Sequence, residues 1–301
     1  MINIYYVGYC HHKNLIGLEL MKPYFNIHFI DYKKIPSINK EDSILIISDN
    51  INYKSNDIKT IYGPHIDFRV SATGHGNDNK ILNMLSEWNV IGAANFNKNP
   101  ILNENICKTD SGVTYISLPF PVDINKFIPT DKKNTGMLYL KNRSTTMNNL
   151  ILNWIKEKQL ILDIFEYGYY SEESFLKSIS KSSYAIWVGR HESQGFAFEE
   201  TLSCNTPIFV LDVDTLYDEK DGNNNSYWNC ETFKNVKATA ASYWTNQCGK
   251  ICKSHNKDEI DNEFNVFFKE LHTYEPRKFI VDNLSAEPVS KLWTNTIQKL
   301  F

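Results

Sequence analysis

The chain has 301 residues, 42% of them hydrophobic and 13% aromatic, with a formal net charge of −3. That length holds one large domain or two of ordinary size, and the apolar share is ample for buried cores. The mildly acidic balance argues against a nucleic-acid surface, which needs clustered Lys and Arg, and no apolar run reaches the roughly 20 residues of a membrane span.

The first residues, MINIYYVG, enter a strand at once, with neither a basic leader nor a cleavage site. This predicts a cytoplasmic setting. Apolar runs at Ile2–Val7, Ile27–Ile30, Ile44–Ile47, Thr60–Tyr62, Asn89–Ala93 and Tyr115–Leu118 read as strands, while Leu15–Met21 and Ile81–Trp88 carry a helical period. Short apolar strands alternating with helical segments predict a parallel sheet covered on both faces, with ligands gathering at its carboxyl edge.

Pro119–Pro129, PFPVDINKFIP, reads as a linker with three prolines, after which the alternation restarts. Strands are predicted at Gly136–Leu140, Leu160–Tyr167, Tyr184–Val188 and Pro207–Leu211, and helices at Asn148–Lys158, Ser171–Ser180 and Gly195–Leu202. The expected fold class is α/β, with two doubly wound, Rossmann-like domains. The first spans 1–125 and the second 126–285; a last helix over 286–301 returns to the first. Tyr217–Asn229, YDEKDGNNNSYWN, is the most loop-like tract. Six scattered cysteines do not form a small-domain disulfide framework. Cys230, Cys248, Cys252 and His255 lack a compact zinc spacing, so reduced thiols are expected.

The richest stretch is YAIWVGRHESQGFAFEETLSCNTPIFVLDV, from Tyr184. A strand leads into a sharp loop carrying Glu192, and a helix follows that carries Glu200. The start of that helix points unpaired N–H groups, near Gln194, Gly195 and Phe196, at whatever occupies the loop. Such amides favour phosphate, and carboxylates beside them accept hydrogen bonds from hydroxyl groups. Phosphate with many hydroxyls describes a nucleotide sugar. Asp212-Val213-Asp214 has a shape that can grip a divalent metal. It is a short acidic loop after a strand that already follows the Glu192–Glu200 unit, so no metal and no cofactor are expected.

With Glu192 and Glu200 at Glu-x7-Glu spacing and the S-C-N-T-P turn after them, the chain resembles retaining glycosyltransferases of the GT-B fold, of the family 4 or group 1 type. The linker phrase P-V-D-x-x-x-F-x-P is similar to that family's crossover. The ending YEPRKFIVDNLS resembles a microbial and viral branch, for whose viral members the compartment is the host cytoplasm. The resemblance is good from Gly136 to Phe301 and faint before Ser117. It implies two domains facing a cleft, and transfer of a sugar from a nucleoside diphosphate to a hydroxyl acceptor, with retained configuration and no essential metal. Glycan, lipid-linked and protein acceptors all fit.

The resemblance also implies roles. Glu192 faces the transferred sugar and Glu200 holds the ribose; Glu199 competes for the second role but is off by one. The helix start, read from the residues themselves, adds Ser193, Gln194, Gly195 and Phe196 as donor-binding residues. Lys141 and Arg143 offset the diphosphate's charge, though the family places Arg before Lys. Gly8, after the first strand, marks a backbone approach to the diphosphate where the family is richer in glycine. His65 is set against the sugar, opposite Glu192 in the catalytic pair. Arg190 and His191 stand beside the mouth, and Arg69–Asp78 suits an acceptor wall. Two other readings remain: a GT-B module that binds sugar or nucleotide without turnover, and a nucleotide-sugar epimerase.

Overall fold

The structure is a computed structural model describing residues 1–41, 43–50, 52–53, 58–65, 81–83, 105–108, 114–190, 192, 194–215 and 238–301. They form two compact units. Unit 1 is Met1–Asp123 with Asn283–Phe301, and unit 2 is Ile124–Asp282. No helix among the described residues is long and apolar enough to cross a membrane.

Unit 1 is built on seven strands: β1 (Asn3–Val7), β2 (Asn26–Phe29), β3 (Ser43–Ile47), β4 (Lys59–Tyr62), β5 (Ile81–Asn83), β6 (Ile106–Lys108) and β7 (Thr114–Ile116). Their order is β2-β1-β3-β4-β5-β7-β6. Every pairing is parallel except β6 with β7. β3, SILII, is buried along its whole length, as expected of a strand covered on both faces.

Helix α1 (His12–Met21) joins β1 to β2. Gly17 lets it lie close to the sheet's exit, since a Cβ there would stand 2.7 Å from Phe120 Cβ. The helical period expected over Ile81–Trp88 is corrected at its start. Ile81 and Leu82 are paired with Ile61 and Tyr62 on one side and with Thr114 and Tyr115 on the other. Sheet pairing overrides a short local pattern there. The rest of that segment, the strand expected at Asn89–Ala93, the acceptor-wall tract and Tyr217–Asn229 lie outside the described residues.

Unit 2 carries β8 (Lys133–Lys141), β9 (Leu162–Glu166), β10 (Ser182–Gly189), β11 (Ile208–Leu211) and β12 (Gly249–Cys252) in the order β12-β11-β10-β8-β9. All pairings are parallel. Its helices are α2 (Thr145–Glu157), α3 (Glu172–Lys181), α4 (Phe196–Ser203), α5 (Lys257–Lys269) and α6 (Pro276–Leu284), of which the last runs on into unit 1. Alternation along the strands separates two faces. Leu138, Leu140, Ile186, Val188, Phe209 and Leu211 pack with Ile151 and Trp154 of α2 and Phe264 and Phe267 of α5. On the other face Tyr139 stacks on Trp187 at 4.0 Å, with Phe175 of α3 and Phe198 of α4 edge-on to them.

Arg277 secures the chain's entry into unit 2. It donates to the carbonyls of Ile124, Phe127 and Ser203 at 3.1, 2.9 and 2.6 Å. The last helix, α7 (Ala286–Leu300), packs on unit 1, where Trp293 Nε1 donates to Pro119 O at 2.8 Å. Asn105 Nδ2 donates to Thr296 Oγ1 at 2.7 Å, and Trp293 lies against Phe25 and Phe120.

Candidate active site

In unit 2 the central strand β10 delivers the chain to the carboxyl edge and the chain must turn sharply into α4. Gly195 makes the turn with φ +86°, in the left-handed region that favours glycine. A Cβ there would meet Ser242 Oγ at 3.0 Å and Glu192 at 3.4 Å. Ser144, Ser171 and Asn256 cap α2, α3 and α5 with their side chains, whereas α4 begins on a glycine with no side-chain cap. The opening amides of a helix have no partner within it and mark its positive end.

Glu192 is buried just before this turn, and Lys141, from the end of β8, donates to its Oε2 at 2.6 Å. The side chains are 5% and 14% exposed. A pair this dry gains little net stability, because desolvation offsets the attraction. The Lys141 ammonium also stands 4.5 Å from the centre of the Tyr167 ring, at the end of β9.

Arg143 is differently employed. It is buried, and its NH1 donates to Gly189 O at 2.9 Å and Leu211 O at 2.5 Å, tying together the ends of β10 and β11. Those bonds give it a structural task at the end of the sheet.

The bend is pinned from two sides. Gln194 donates its side-chain amide to Glu199 Oε2 at 2.8 Å and accepts Ser242 Oγ on its carbonyl at 2.6 Å. Asp212 holds the segment carrying Ser242: its carboxylate accepts Ala240 N–H at 2.6 Å and Thr239 Oγ1 at 2.8 Å. Burial pushes the Asp212 carboxyl up, and the N–H of Ala240 with the Thr239 hydroxyl pulls it back. Asp214 is exposed and paired with Lys253 at 2.5 Å. The Asp-x-Asp segment thus braces a loop and meets a surface lysine. Among the described residues no cluster of three or more His, Cys, Asp or Glu is placed to hold a metal ion.

Glu200 is buried on α4, behind the bend. The turn after α4 needs a left-handed residue, and Asn205 supplies it with φ +55°. Ser193 and His191 lie outside the described residues. Ser242, Tyr167 and the loop-bracing use of Asp212 escaped the sequence reading. The tract Ala238–Gly249 reads as a loop, but nothing in it singles out one serine.

Unit 1 presents a second carboxyl edge. Gly8, with φ +92°, is required by Asp49: a Cβ would lie 2.2 Å from Asp49 Oδ1. That carboxylate accepts Tyr9 N–H and Tyr32 OH, each at 2.8 Å. The space beside Gly8 is thus faced by an acid of this chain. His65 lies near by: its Nε2 accepts His11 N–H at 3.4 Å and faces Asn14 Nδ2 at 3.1 Å. Both partners are donors, so the ring is neutral and its proton is on Nδ1. Burial first, then His11, pushes its pKa down to about 4.

No family model matches the sequence, and no curated protein matches it. Solved structures do resemble the fold. Sucrose-phosphate synthase from Thermosynechococcus elongatus aligns over 100% of this chain and 99% of its own at 8% identity, with a TM-score of 0.57. The apo form of the lipopolysaccharide outer core galactosyltransferase WaaB aligns over 100% of both chains at 10% identity and TM-score 0.53. AviGT4, a glycosyltransferase involved in avilamycin A biosynthesis, aligns over 100% of this chain and 98% of its own at 7% identity and TM-score 0.52. The two-sheet α/β architecture is therefore that of GT-B glycosyltransferase structures.

Proposed function

We propose that the chain is a glycosyltransferase that moves a sugar from a nucleoside diphosphate to a hydroxyl acceptor, with retention and without a metal. The observation that carries this reading is the buried Lys141–Glu192 pair beside the uncapped, glycine-led start of α4. One small region offers an anion-binding helix end, a cation and a hydroxyl-accepting carboxylate, the set that a sugar diphosphate needs.

In this scheme the diphosphate lies against the amides of Gly195 and Phe196. Lys141 turns from Glu192 toward the leaving oxygens as negative charge builds there, which stabilises the transition state without an ion. Glu192, released from part of that pairing, accepts hydrogen bonds from the sugar and orients it. The leaving diphosphate takes up the acceptor's proton. Glu200 is assigned to the ribose, and Ser193 to the phosphates. His65 is proposed to act as a neutral imidazole, with Nδ1–H as the group left to donate. A cytosolic setting is part of the proposal, supported by the free thiols of Cys10, Cys204, Cys248 and Cys252.

The test is donor hydrolysis across a panel of UDP-, GDP- and ADP-sugars, with Glu192→Ala as control. Slow release of free nucleoside diphosphate by the wild type alone supports the reading. Equal inertness of both proteins on every donor that binds overturns it, and conversion of donor sugars without acceptor would mark an epimerase.

A further inference from the structure

Glu199 has no task in the scheme above. It lies in the first turn of α4 and is wholly buried. Its Oε2 accepts the Gln194 side-chain amide at 2.8 Å, and its Oε1 has no hydrogen-bond partner. An ionised carboxylate so poorly matched is costly away from water. A neutral acid fits better, with Oε2 as the acceptor and the proton on the unpartnered Oε1. Burial is the largest influence pushing the carboxyl well above its ordinary range. Gln194 opposes it, and the charges acting on it, Glu200 and Glu192, share its sign and add to the rise.

We propose that Glu199 is a proton-bearing acid that positions the 192–196 bend through Gln194. The linkage is continuous. Glu199 holds the Gln194 side chain, Ser242 holds the Gln194 carbonyl, and Gly195 follows directly with the cap of α4. Neutrality is part of the role. An internal carboxylate in a helix's first turn would itself satisfy the positive end of the dipole and repel an incoming phosphate. A neutral acid supplies the same acceptor and leaves that potential to the ligand. The inference rests on the bend being a phosphate site and deepens that reading.

Two variants test it. Glu199→Gln keeps a neutral acceptor, whereas Glu199→Leu keeps the approximate volume and removes it; Glu199→Met replaces the latter if it does not fold. The folded carboxyl retains a proton that the unfolded chain releases near its ordinary value. The wild type therefore loses stability as pH rises above the ordinary carboxyl value of 4.5, and the Tm of Glu199→Gln gains on it as pH rises. A Tm difference that stays flat overturns the protonated acid. For positioning, hydrogen exchange is compared between peptides covering 190–198 and peptides from β8. Glu199→Leu is expected to speed exchange at the bend by about tenfold relative to β8, with Glu199→Gln restoring the wild-type rate. Uniform acceleration, or none, overturns positioning.

Affinity for UDP, GDP and ADP then separates the two readings. If the wild type binds none of them, the phosphate-site proposal fails, while the Tm and exchange measurements still decide the role of Glu199. If it binds one, Glu199→Leu should weaken that affinity about tenfold and Glu199→Gln less than about twofold.

Discussion

The carboxyl edges of the two sheets begin from the same local problem and solve it differently. In each, a strand ends on a glycine-dependent turn that feeds a helix. In unit 1 the space beside Gly8 is taken by the Asp49 carboxylate, and the start of α1 is capped by His11, which accepts Lys13 N–H. In unit 2 the helix starts without a side-chain cap, and the neighbouring charge is a lysine that can be shared. One edge is filled by its own acidic side chain; the other opens its helix without a side-chain cap, beside a cation. The same topology therefore does not imply the same chemistry, which follows from a few side chains at the strand ends.

Four experiments, taken from the largest expected effect to the smallest, can break or sharpen that contrast. Glu192→Ala should cut turnover of any accepted donor by at least about 100-fold, as read by diphosphate release. Turnover that survives would remove the distinction between the edges. Arg143→Met should cost about 3 kcal/mol in denaturant unfolding, since the carbonyls of Gly189 and Leu211 both lose a charged donor.

Gly8→Ala should cost about 2–3 kcal/mol, from left-handed strain and collision with Asp49, and about 1 kcal/mol less when Asp49→Ala is already present. A double-mutant cycle without coupling would show that Asp49 is not what requires the glycine. The smallest effect, read over the first pH unit below 7, concerns His65. Its folded pKa, about 4, lies below its ordinary 6.5. As pH falls through that interval the unfolded chain takes up the proton first, so stability is full above about 6.5 and declines toward 4. His65→Gln should flatten this part of the Tm–pH curve.

Much of this was legible from residue patterns because the strands are short, apolar and buried on both faces. β3, SILII, and the interior of β10, YAIWV, announce themselves by composition alone, and the Glu192–Glu200 spacing located the bend. What stayed hidden was fixed by neighbours distant in sequence. Ile81 looked helical until Ile61 and Thr114 were found on either side of it. Sequence cannot show that the carbonyls of Gly189 and Leu211 end within reach of Arg143. Nor can it show that Asp49, some forty residues away, faces Gly8. Periodicity reports which face a residue occupies, but the partner of a polar group depends on which strand ends meet.

The placement of α7 dictates an order of assembly during translation. Residues of unit 1 lie at both ends of the polypeptide, while unit 2 is the uninterrupted stretch Ile124–Asp282. A ribosome therefore releases everything unit 2 requires before it releases Trp293 and Thr296, which must reach Pro119 and Asn105. A chain cut after residue 282 would keep every residue of unit 2 and lose the Trp293 and Thr296 contacts that close unit 1.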